Sequence, residues 1–438
     1  MNRRQIAEQI FLAGVDSILP DKLISGNMSL NGNLLQLGHL KIPLENIENI
    51  YLIGAGKASA IMASEVEKIL GDRITEGHII VKYGYASEIK SIRVTEAGHP
   101  FPDSNGFKAT RSVLDIASKA SANDLVICLL SGGGSSLLCD CPEELTPEDL
   151  VLVNKLLVNC GANIKEINAV RKHLSNVKGG QLARTVYPAT LVSLILSDVI
   201  GNHPDVIASG PTAPDPTTFV DAIEVLEKFN IKAFLPSRII DFLYDGATCK
   251  KPETPKPGDS IFEKTSNIII GTNRLALESA RQKAQEYNIN AVIIEDELQG
   301  DTGSVSEYLV ETAIQFKNDN NEVKPICILF GGETTVKMTG KGAGGRNQHL
   351  AMLCALLLKN MPGVTILSAG TDGNDGPTNA AGAVVDSETV TFAVSKGIDP
   401  DKYLKDFNSY NFFKKTAGHI IIGPTMTNVM DIVVVLVW

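Results

Sequence analysis

The stretch NIYLIGAGKAS, residues 49–59, runs from an apolar segment into a glycine turn and then into a helical segment. Further apolar segments follow at EGHIIVKYG (76–84), SIRVTEAG (91–98), DLVICLLSG (124–132) and ATLVSLILSDV (189–199). Strands that are apolar throughout and alternate with helices are typical of a parallel sheet covered on both faces. The first half of the chain is therefore predicted to be an α/β domain whose parallel sheet is sandwiched by helices.

The second half repeats this pattern after a segment rich in proline and lysine, ATCKKPETPKPGDS (247–260). The strand-like runs NIIIGTN, NAVIIED, PICILFGG, VTILSAG and DIVVVLV follow it, with the helical segment LALESARQKAQEY between the first two. A chain of 438 residues is too long for one comfortable hydrophobic core. We therefore predict two α/β domains, residues 1–250 and 251–438.

The composition indicates a globular protein whose main partners are small molecules. The net charge is −10 and no basic block is present, so nucleic acid and anionic membranes are disfavoured as partners. The 7 cysteines lie mostly in apolar stretches, as reduced cysteines of cytosolic proteins do. The N-terminal segment lacks the pattern of a signal peptide, and no apolar run is long enough to span a membrane. We expect a cytoplasmic protein, with a homodimer as an open alternative for its assembly.

The glycine turn GAGKAS (54–59) suggests phosphate binding but matches neither common glycine motif. A P-loop needs a glycine at the position of Tyr51 and a serine or threonine directly after the lysine. A dinucleotide fingerprint needs its third glycine where this chain has Ser59, so NAD binding is disfavoured. Lys57 stands at the mouth of the turn, where it can contact phosphoryl oxygens. The predicted ligand-binding residues of this turn are Gly54, Gly56 and Lys57.

A second glycine turn, SGGGSS (131–136), follows another strand-like run. Three glycines let the backbone approach an anion closely, and a following helix would present free N–H groups. A tight turn with a helix cap is an equally good interpretation of the serines. A hydrolase nucleophile is unlikely, because the second glycine of G-x-S-x-G is missing. The predicted ligand-binding residues of this turn are Ser131, Gly132, Gly133, Gly134, Ser135 and Ser136.

Charged side chains at two later element ends are further candidates. A helix is predicted over about 168–186, and its Arg171 can bind a carboxylate bidentately, which suits a small acid substrate. Lys172 is a second candidate, although a solvated basic face is the more common role for it. Asp198 follows an apolar strand, where a carboxylate can accept a hydroxyl proton, hold Mg²⁺ or cap a turn.

The second half supplies carboxylates and one arginine between glycines. Asp372 and Asp375, in TDGNDGPT (371–378), offer hard oxygen ligands that suit Mg²⁺ bound together with phosphates. A plain turn is the alternative for Asp375. Arg346, in GKGAGGRNQ (340–348), can stabilise the charge of a transferring phosphoryl group. The other predicted ligand-binding residues of this half are Glu333, Gly344, Gly345 and Asn347.

Seven motifs taken together resemble the glycerate 2-kinase family, whose C-terminal part is called the MOFRL domain. They are IGAGKAS, EAGHPFPD, LLSGGGSSLL, VRKHLSNVKGGQLA, ILSDV…VIASGPT, FGGETTV…GKGAGGRNQ and AGTDGNDGPTNAAGA, in the family's order over residues 52–383. The resemblance implies two α/β domains, the first Rossmann-like, with the active site in the cleft between them. It also implies transfer of the ATP γ-phosphate to the 2-hydroxyl of D-glycerate, with Mg²⁺, giving 2-phospho-D-glycerate.

By the matched motifs, Lys57, Asp198 and Arg346 carry over as the catalytic positions. Lys57 and Arg346 would neutralise phosphoryl charge, and Asp198 would orient or deprotonate the attacking hydroxyl.

Two segments depart from the family's pattern. The sequence Ile200-Gly-Asn-His stands where the family usually has Pro-Gly-Asp-Asp, and IGPTMTNVMD (422–431) lacks a small polar residue before its glycine. These departures leave the choice of hydroxy acid open. Two other functions also remain open: an NAD(P)H-dependent hydroxypyruvate reductase, based on the G-x-G turn, and a non-catalytic protein that binds nucleotide or hydroxy acid.

Overall fold

The computed structural model describes residues 2–319, 323–337 and 340–438. The chain forms two compact units. The N-terminal unit consists of Pro20–Ile270, and the C-terminal unit combines Met1–Leu19 with Gly271–Trp438. No helix in the described ranges is long and apolar enough to cross a membrane.

Helices and strands are numbered in chain order. The helices are α1 (Arg3–Ser17), α2 (Pro20–Asn27), α3 (Ser59–Leu70), α4 (Ser104–Ala117), α5 (Gly134–Leu137), α6 (Pro147–Asn159), α7 (Ile164–His173), α8 (Gln181–Val186), α9 (Phe219–Lys228), α10 (Ser237–Ala247), α11 (Asn273–Glu286), α12 (Thr302–Asn318), α13 (Arg346–Leu357), α14 (Glu388–Ser395), α15 (Pro400–Lys405) and α16 (Ser409–Thr416). The strands are β1 (Met28–Asn31), β2 (Leu34–Leu37), β3 (Leu40–Pro43), β4 (Ile50–Ala55), β5 (Glu76–Lys82), β6 (Arg93–Ala97), β7 (Leu125–Leu130), β8 (Thr190–Leu196), β9 (Thr265–Gly271), β10 (Asn290–Asp301), β11 (Ile326–Thr335), β12 (Val364–Gly370), β13 (Gly382–Asp386), β14 (His419–Ile420) and β15 (Asp431–Val437).

The main sheet of the N-terminal unit has the strand order β6-β5-β4-β7-β8-β9. The pairings from β6 through β8 are all parallel. Every residue of the central strands β4 and β7 is buried, as expected for a parallel sheet flanked by helices. The predicted α/β fold with a parallel sheet in the first half is therefore confirmed. A separate three-stranded antiparallel sheet, β1-β2-β3, precedes it in the chain.

The register of the main sheet brings three connections to one edge. Ala55 at the end of β4 pairs with Leu130 at the end of β7, and Leu130 pairs with Ile195 near the end of β8. The connections after these strands contain Lys57, the SGGGSS turn and Asp198. In an open α/β sheet, ligands bind beyond these carboxyl ends. Lys57, the SGGGSS turn and Asp198 therefore follow the ends of neighbouring strands.

The C-terminal unit is built on a mixed sheet with the order β10-β11-β15-β12-β13-β14. The pairing of β10 with β11 is parallel, whereas β15 lies antiparallel between β11 and β12. Helix α1 packs on α11 and also contacts β12 and β15. It does so with a buried face that includes Ile10 and Phe11. The second α/β domain is therefore present, and the first helix of the chain completes its core.

The two units differ from the predicted ranges 1–250 and 251–438 in two places. The N-terminal helix belongs to the C-terminal unit, because its buried face packs there. The segment after residue 250 stays with the N-terminal unit, where the carbonyl of Pro255 accepts the N–H of Asp215 at 2.8 Å and β9 extends the main sheet. Periodicity identifies elements but not the sheet that each one joins, so the sequence could not place this boundary.

The single helix predicted over about 168–186 is two helices, α7 and α8, which are separated by residues 174–180. Gly179 and Gly180 have positive φ values of 57° and 80°, which interrupt a right-handed helix. Their N–H groups donate to the carbonyls of Ser209 and Gly210 at 3.0 and 2.7 Å. The prediction was wrong here because the glycines connect this segment to another loop.

Gly54 is a position of the main sheet where a side chain is excluded. Its φ is 154°, and a β-carbon there would lie 2.1 Å from the carbonyl oxygen of Leu129 in the neighbouring strand. Relief would require a shift of backbone atoms in β4 or β7, because no flexible side chain is available to move.

The substitution Gly54→Ala is expected to lower the free energy of unfolding by about 3 kcal/mol, because the added methyl group meets backbone. Gly26→Ala is the matched control, since Gly26 lies in α2 and a β-carbon there has no atom within 4 Å. Alanine in that helix should leave stability unchanged or raise it. Urea denaturation of both variants measures the difference, and equal midpoints would contradict the close approach at Gly54.

Candidate active site

The side chain of Ser131 connects the turns that follow β4 and β7 by hydrogen bonds. The Ser131 hydroxyl accepts the N–H of Ala58 at 3.0 Å and lies 3.2 Å from the hydroxyl of Ser59. The Ser59 hydroxyl in turn donates to the carbonyl of Leu129 at 3.2 Å. A β-carbon on Gly56 would lie 2.1 Å from Ser131 Oγ, so the contact requires glycine. Ser131 thus joins two strand ends inside the protein.

The GAGKAS turn uses its backbone donors internally. The N–H groups of Gly56, Lys57 and Ala58 all donate to protein oxygens, at 3.1, 2.9 and 3.0 Å. Gly54 and Gly56 were predicted as ligand-binding residues, but their contacts serve the close approach of a neighbouring strand and turn. In this described turn, the side chain of Lys57 is the group that can meet a phosphate.

Lys57 and His99 meet over the glycine turn that follows β7. A β-carbon on Gly133 would lie 2.9 Å from the His99 ring and 3.6 Å from Cγ of Lys57. Burial lowers the pKa of His99 to about 4, and the charges of Lys57 and Lys82 act in the same direction. The ring is therefore neutral at neutral pH. It can accept a hydrogen bond beside Lys57 without adding a second positive charge.

Asp198 reaches the same turn from the end of β8. A β-carbon on Gly132 would lie 2.2 Å from Oδ2 of Asp198, so the carboxylate occupies the space that a side chain would take. Burial raises the pKa of Asp198, and the charge of Lys57 opposes that rise. Two of the three predicted catalytic residues therefore lie at one glycine turn. A carboxylate with a raised pKa is a good acceptor for a hydroxyl proton.

The SGGGSS turn leaves backbone donors open beside these side chains. Within the described part of the chain, the N–H groups of Gly132, Gly133 and Ser135 have no hydrogen-bond partner. The hydroxyls are engaged internally: Ser135 Oγ lies 2.7 Å from Ser209 Oγ, and Ser136 Oγ donates to the carbonyl of Gly133 at 3.2 Å. Backbone N–H groups in a glycine turn are suited to an anion, whereas these serines support the turn.

A cavity of about 220 Å³ opens beside the SGGGSS turn within the N-terminal unit. Arg171, from α7, is one of its lining residues. Lys172 is instead buried between two carboxylates, with its Nζ 3.2 Å from Asp215 and 3.7 Å from Asp205. Of the two predicted cations, Arg171 faces a ligand-sized space, and Lys172 holds the segment around 205–215 by ion pairs.

Arg346, the third predicted catalytic residue, begins α13 in the C-terminal unit. Its Nε and Nη2 donate to the carboxylate of Asp431 at 2.6 and 3.0 Å, and its Nη1 lies 2.7 Å from Oε1 of Glu333. Burial acts to lower the pKa of Arg346, but the two carboxylates raise it above its ordinary value. The side chain of Asp431 is 5% exposed and that of Glu333 is 43% exposed. Asp431 therefore fixes the guanidinium, while Glu333 is the partner that a ligand can displace.

Asp375 caps α13. Its carboxylate oxygens accept the N–H groups of Asn347 at 3.0 Å and Gln348 at 2.8 Å. Burial raises the pKa of Asp375 to about 6, although these N–H donors act to lower it. A β-carbon on Gly345 would lie 2.2 Å from Oδ1 of Asp375, so the glycine admits the capping carboxylate.

The predicted magnesium ligands do not fit a metal site held by the protein. Both oxygens of Asp375 are engaged at the helix start, and Oδ1 of Asp372 accepts the N–H of Asn374 at 3.1 Å within a turn. Among the described residues, no group of three or more His, Cys, Asp or Glu side chains is placed to hold a metal ion. The turn interpretation of these aspartates therefore fits their contacts better.

The remaining predicted ligand-binding residues lie in packing contacts. A β-carbon on Gly134 would lie 2.9 Å from the side chain of Ala208, and one on Gly344 would lie 2.1 Å from a serine hydroxyl. Asn347 is buried, and its side-chain oxygen accepts the hydroxyl of Ser368 at 2.6 Å. These three positions shape the turns that present other groups.

Comparison with known proteins identifies the family. Residues 6–244 match the family described as a domain of unknown function (DUF4147), and residues 326–431 match the MOFRL family. The chain is 38% identical to a D-glycerate 2-kinase from Thermotoga maritima, over 99% of this chain and 98% of that protein. The chain belongs to the glycerate 2-kinase family. A crystal structure of a glycerate kinase from Thermotoga maritima superposes with a TM-score of 0.88, at 38% identity, and covers 99% of both chains.

The name hydroxypyruvate reductase also occurs among similar proteins. A protein from Agrobacterium vitis that carries it as a provisional name is 36% identical, over 100% of this chain and 95% of its own length. The resemblance to the glycerate 2-kinase family, predicted from seven motifs, is confirmed by full-length similarity in sequence and structure.

The sequence did not identify His99, which lies near Lys57 in the N-terminal unit, or Asp431, which pairs with Arg346 in the C-terminal unit. Both lie in motifs that were compared with the family, EAGHPFPD and IGPTMTNVMD. Their importance depends on Lys57 and Arg346, which are distant in the chain and meet them only after folding. Position within a matched motif was the one signal available for either residue.

The electrostatic interaction of Lys57 with His99 predicts a shift in the pKa of the histidine. Lys57→Met is expected to raise the pKa of His99 from about 4 toward 6.5, because one nearby positive charge is removed while the burial remains. The pKa is measured by NMR of the ring protons, assigned with His99→Gln. Lys68→Met is the control, since Lys68 is an exposed lysine paired with Glu65, and it should leave this pKa unchanged. An unchanged pKa of His99 in Lys57→Met would contradict this interaction.

Proposed function

We propose that this protein transfers the γ-phosphate of ATP to the 2-hydroxyl of D-glycerate and releases 2-phospho-D-glycerate and ADP. Family membership and the name of the relative from Thermotoga maritima support this activity. The single observation that carries it is the convergence of Lys57 and Asp198 on the SGGGSS turn. Phosphoryl transfer needs positive charge for the phosphate and an acceptor for the hydroxyl proton, and this turn has both.

Asp198 acts as the proton acceptor for the attacking hydroxyl. As the 2-oxygen of glycerate forms its bond to the γ-phosphorus, the bond from that phosphorus to the bridging oxygen of ADP breaks, and ADP leaves with the electron pair. Asp198 takes the hydroxyl proton and later releases it to solvent. Burial raises the pKa of Asp198 and so strengthens it as a base, while the charge of Lys57 favours its ionised form.

Lys57 and the glycine turn bind phosphoryl oxygens. The ammonium group supplies charge, and the open N–H groups of Gly132 and Gly133 supply directed hydrogen bonds. Mg²⁺ would be supplied together with the substrate ATP and would offset part of the charge of its phosphates. The engaged carboxylates of Asp372 and Asp375 are not assigned to the metal.

Arg346 stabilises negative charge on the transferring group. Asp431 holds Nε and Nη2 in one plane and is buried, so the orientation of the guanidinium is fixed before a ligand arrives. Glu333 contacts Nη1 from a more exposed position. A phosphoryl oxygen can therefore take the place of Glu333 while Asp431 keeps its contacts, which suits an arginine that acts on charge as it develops.

A dinucleotide-dependent reductase is disfavoured by the same contacts. Such enzymes bind the pyrophosphate with free N–H groups of the first glycine turn and the helix that follows. In this chain, the N–H groups of Gly56, Lys57 and Ala58 already donate to protein oxygens. The third fingerprint glycine is replaced by Ser59, whose hydroxyl is bonded to the neighbouring strand.

Incubation of the purified protein with ATP, MgCl₂ and D-glycerate tests this function, with the product identified by ³¹P NMR. The expected product is 2-phospho-D-glycerate. Formation of 3-phosphoglycerate alone would refute transfer to the 2-hydroxyl. ATP binding without turnover on a panel of 2-hydroxy acids would support a binding protein instead, and oxidation of NADH by hydroxypyruvate would support a reductase.

Two substitutions test the assigned charges. Lys57→Met and Arg346→Lys are each expected to lower kcat by about 100-fold or more. The first removes the positive charge proposed to bind the phosphoryl group, and the second keeps the charge but loses the two-pronged geometry of the guanidinium. Lysine is chosen at 346 because a neutral residue would leave Asp431 buried without a partner. Circular dichroism checks the fold, and Lys68→Met serves as the exposed-lysine control with unchanged kcat. Near-normal kcat in both folded variants would show that these residues are not catalytic.

A further inference from the structure

The cavity beside the SGGGSS turn has an apolar wall and a cationic end. The wall includes Phe107, Leu150, Val153 and Leu174, and Arg171 provides the accessible charge. Ser135 and Ser136 line the cavity on another side. These serines directly follow the glycines that contact Asp198, Lys57 and His99. The cavity therefore borders the same turn that holds the residues assigned to phosphoryl transfer.

Arg171 is oriented by a neutral partner. Its Nε donates to Oδ1 of Asn154 at 2.5 Å, which fixes the plane of the guanidinium and leaves its Nη groups for other partners. Burial lowers the pKa of Arg171, and no carboxylate among the described residues acts against this effect. A half-buried guanidinium without a carboxylate is a costly arrangement unless a ligand supplies the negative charge.

The other charged groups of the cavity are engaged within the protein. Lys178 donates to a backbone carbonyl and is attracted to Asp140. The oxygens of Asp140 accept the hydroxyl of Ser175 at 2.5 Å and the N–H of Asn176 at 2.6 Å. These contacts leave Arg171 as the cation that a ligand in this described cavity can neutralise.

The size of the cavity favours a small acid over a nucleotide. Its volume is about 220 Å³, whereas sites for drug-sized and cofactor ligands usually span about 300–1,000 Å³. A carboxylate is also the planar, two-oxygen group that matches an arginine fork. Phosphate groups have other donors nearby, namely Lys57 and the open N–H groups of the glycine turn.

We propose that this cavity is the acid-binding subsite, in which Arg171 binds the carboxylate of the hydroxy-acid substrate through its Nη groups. Asn154 is a positioning residue, because it touches the arginine. The assignment of D-glycerate as the acid rests on the proposed function. It follows that the carboxylate of the substrate, and not only its 2-hydroxyl, determines binding, and that uncharged analogues such as D-glyceramide bind weakly.

Calorimetric titration with D-glycerate tests the subsite without requiring turnover, using full-length protein and a non-hydrolysable ATP analogue. Arg171→Gln is expected to raise the Kd for D-glycerate about 10- to 100-fold, since a charge-assisted bidentate contact is lost. Arg171→Lys should give a smaller rise, because the charge remains but the fork does not. The Kd of the ATP analogue should stay the same in both variants.

Arg73→Gln is the matched control, since Arg73 is an exposed arginine of the same unit whose Nη2 donates to Asn33 at 3.1 Å. It should bind D-glycerate as the wild type does. Unchanged D-glycerate affinity in folded Arg171→Gln would overturn the subsite. A raised Kd for the ATP analogue with unchanged D-glycerate affinity would also overturn it, by assigning the cavity to the nucleotide.

The experiments distinguish a wrong assignment of the subsite from a wrong assignment of the kinase function. Absence of D-glycerate binding to the wild type would overturn the subsite as described. Binding of D-glycerate that depends on Arg171, without formation of phosphoglycerate, would support the subsite and refute the proposed activity. Formation of 2-phospho-D-glycerate with equal KM for D-glycerate in wild type and Arg171→Gln would support the activity and refute the subsite.

Discussion

The contact between the turns after β4 and β7 is the constraint on which the N-terminal part of the candidate site depends. The hydroxyl of Ser131 binds the N–H of Ala58 and approaches Ser59, and this geometry requires a glycine at position 56. The backbone N–H groups of the first turn are used in contacts within the protein. The group of that turn that can bind a phosphate is therefore the side chain of Lys57. The second turn has N–H groups without a hydrogen-bond partner in the described part of the chain. Phosphoryl oxygens can therefore be bound by the backbone of the second turn and by the side chain of Lys57.

The two units present positive charge in different ways. In the N-terminal unit, Arg171 has a neutral partner, so an anionic ligand meets a charge that the protein has not neutralised. In the C-terminal unit, Arg346 contacts two carboxylates, one buried and one exposed. The first arrangement favours stable binding of an acid. The arrangement around Arg346 holds the guanidinium in position and allows a ligand oxygen to replace the exposed carboxylate. Such an arginine is suited to stabilising negative charge that develops during a reaction.

The sequence predicted the α/β elements well, because buried parallel strands are apolar throughout and glycine turns mark their ends. It also pointed to Lys57 and Asp198, which stand directly after such strands. It could not show whether Gly54 and Gly56 make room for a ligand or for a neighbouring part of the protein. The absence of a side chain allows either one to approach closely. The membership of α1 in the C-terminal unit and the pairing of Arg346 with Asp431 depend on contacts between distant segments, which no local pattern encodes.

Burial and the charge of Lys57 act on the pKa of both Asp198 and His99. Burial disfavours charge on any group, so it raises the pKa of Asp198 and lowers that of His99. The ammonium of Lys57 opposes the first shift and reinforces the second. His99 is therefore neutral at neutral pH, and the raised pKa of Asp198 makes its carboxylate a stronger acceptor for a substrate proton. Because the imidazole stays neutral, it adds no second positive charge near Lys57, the lysine whose charge acts on both side chains.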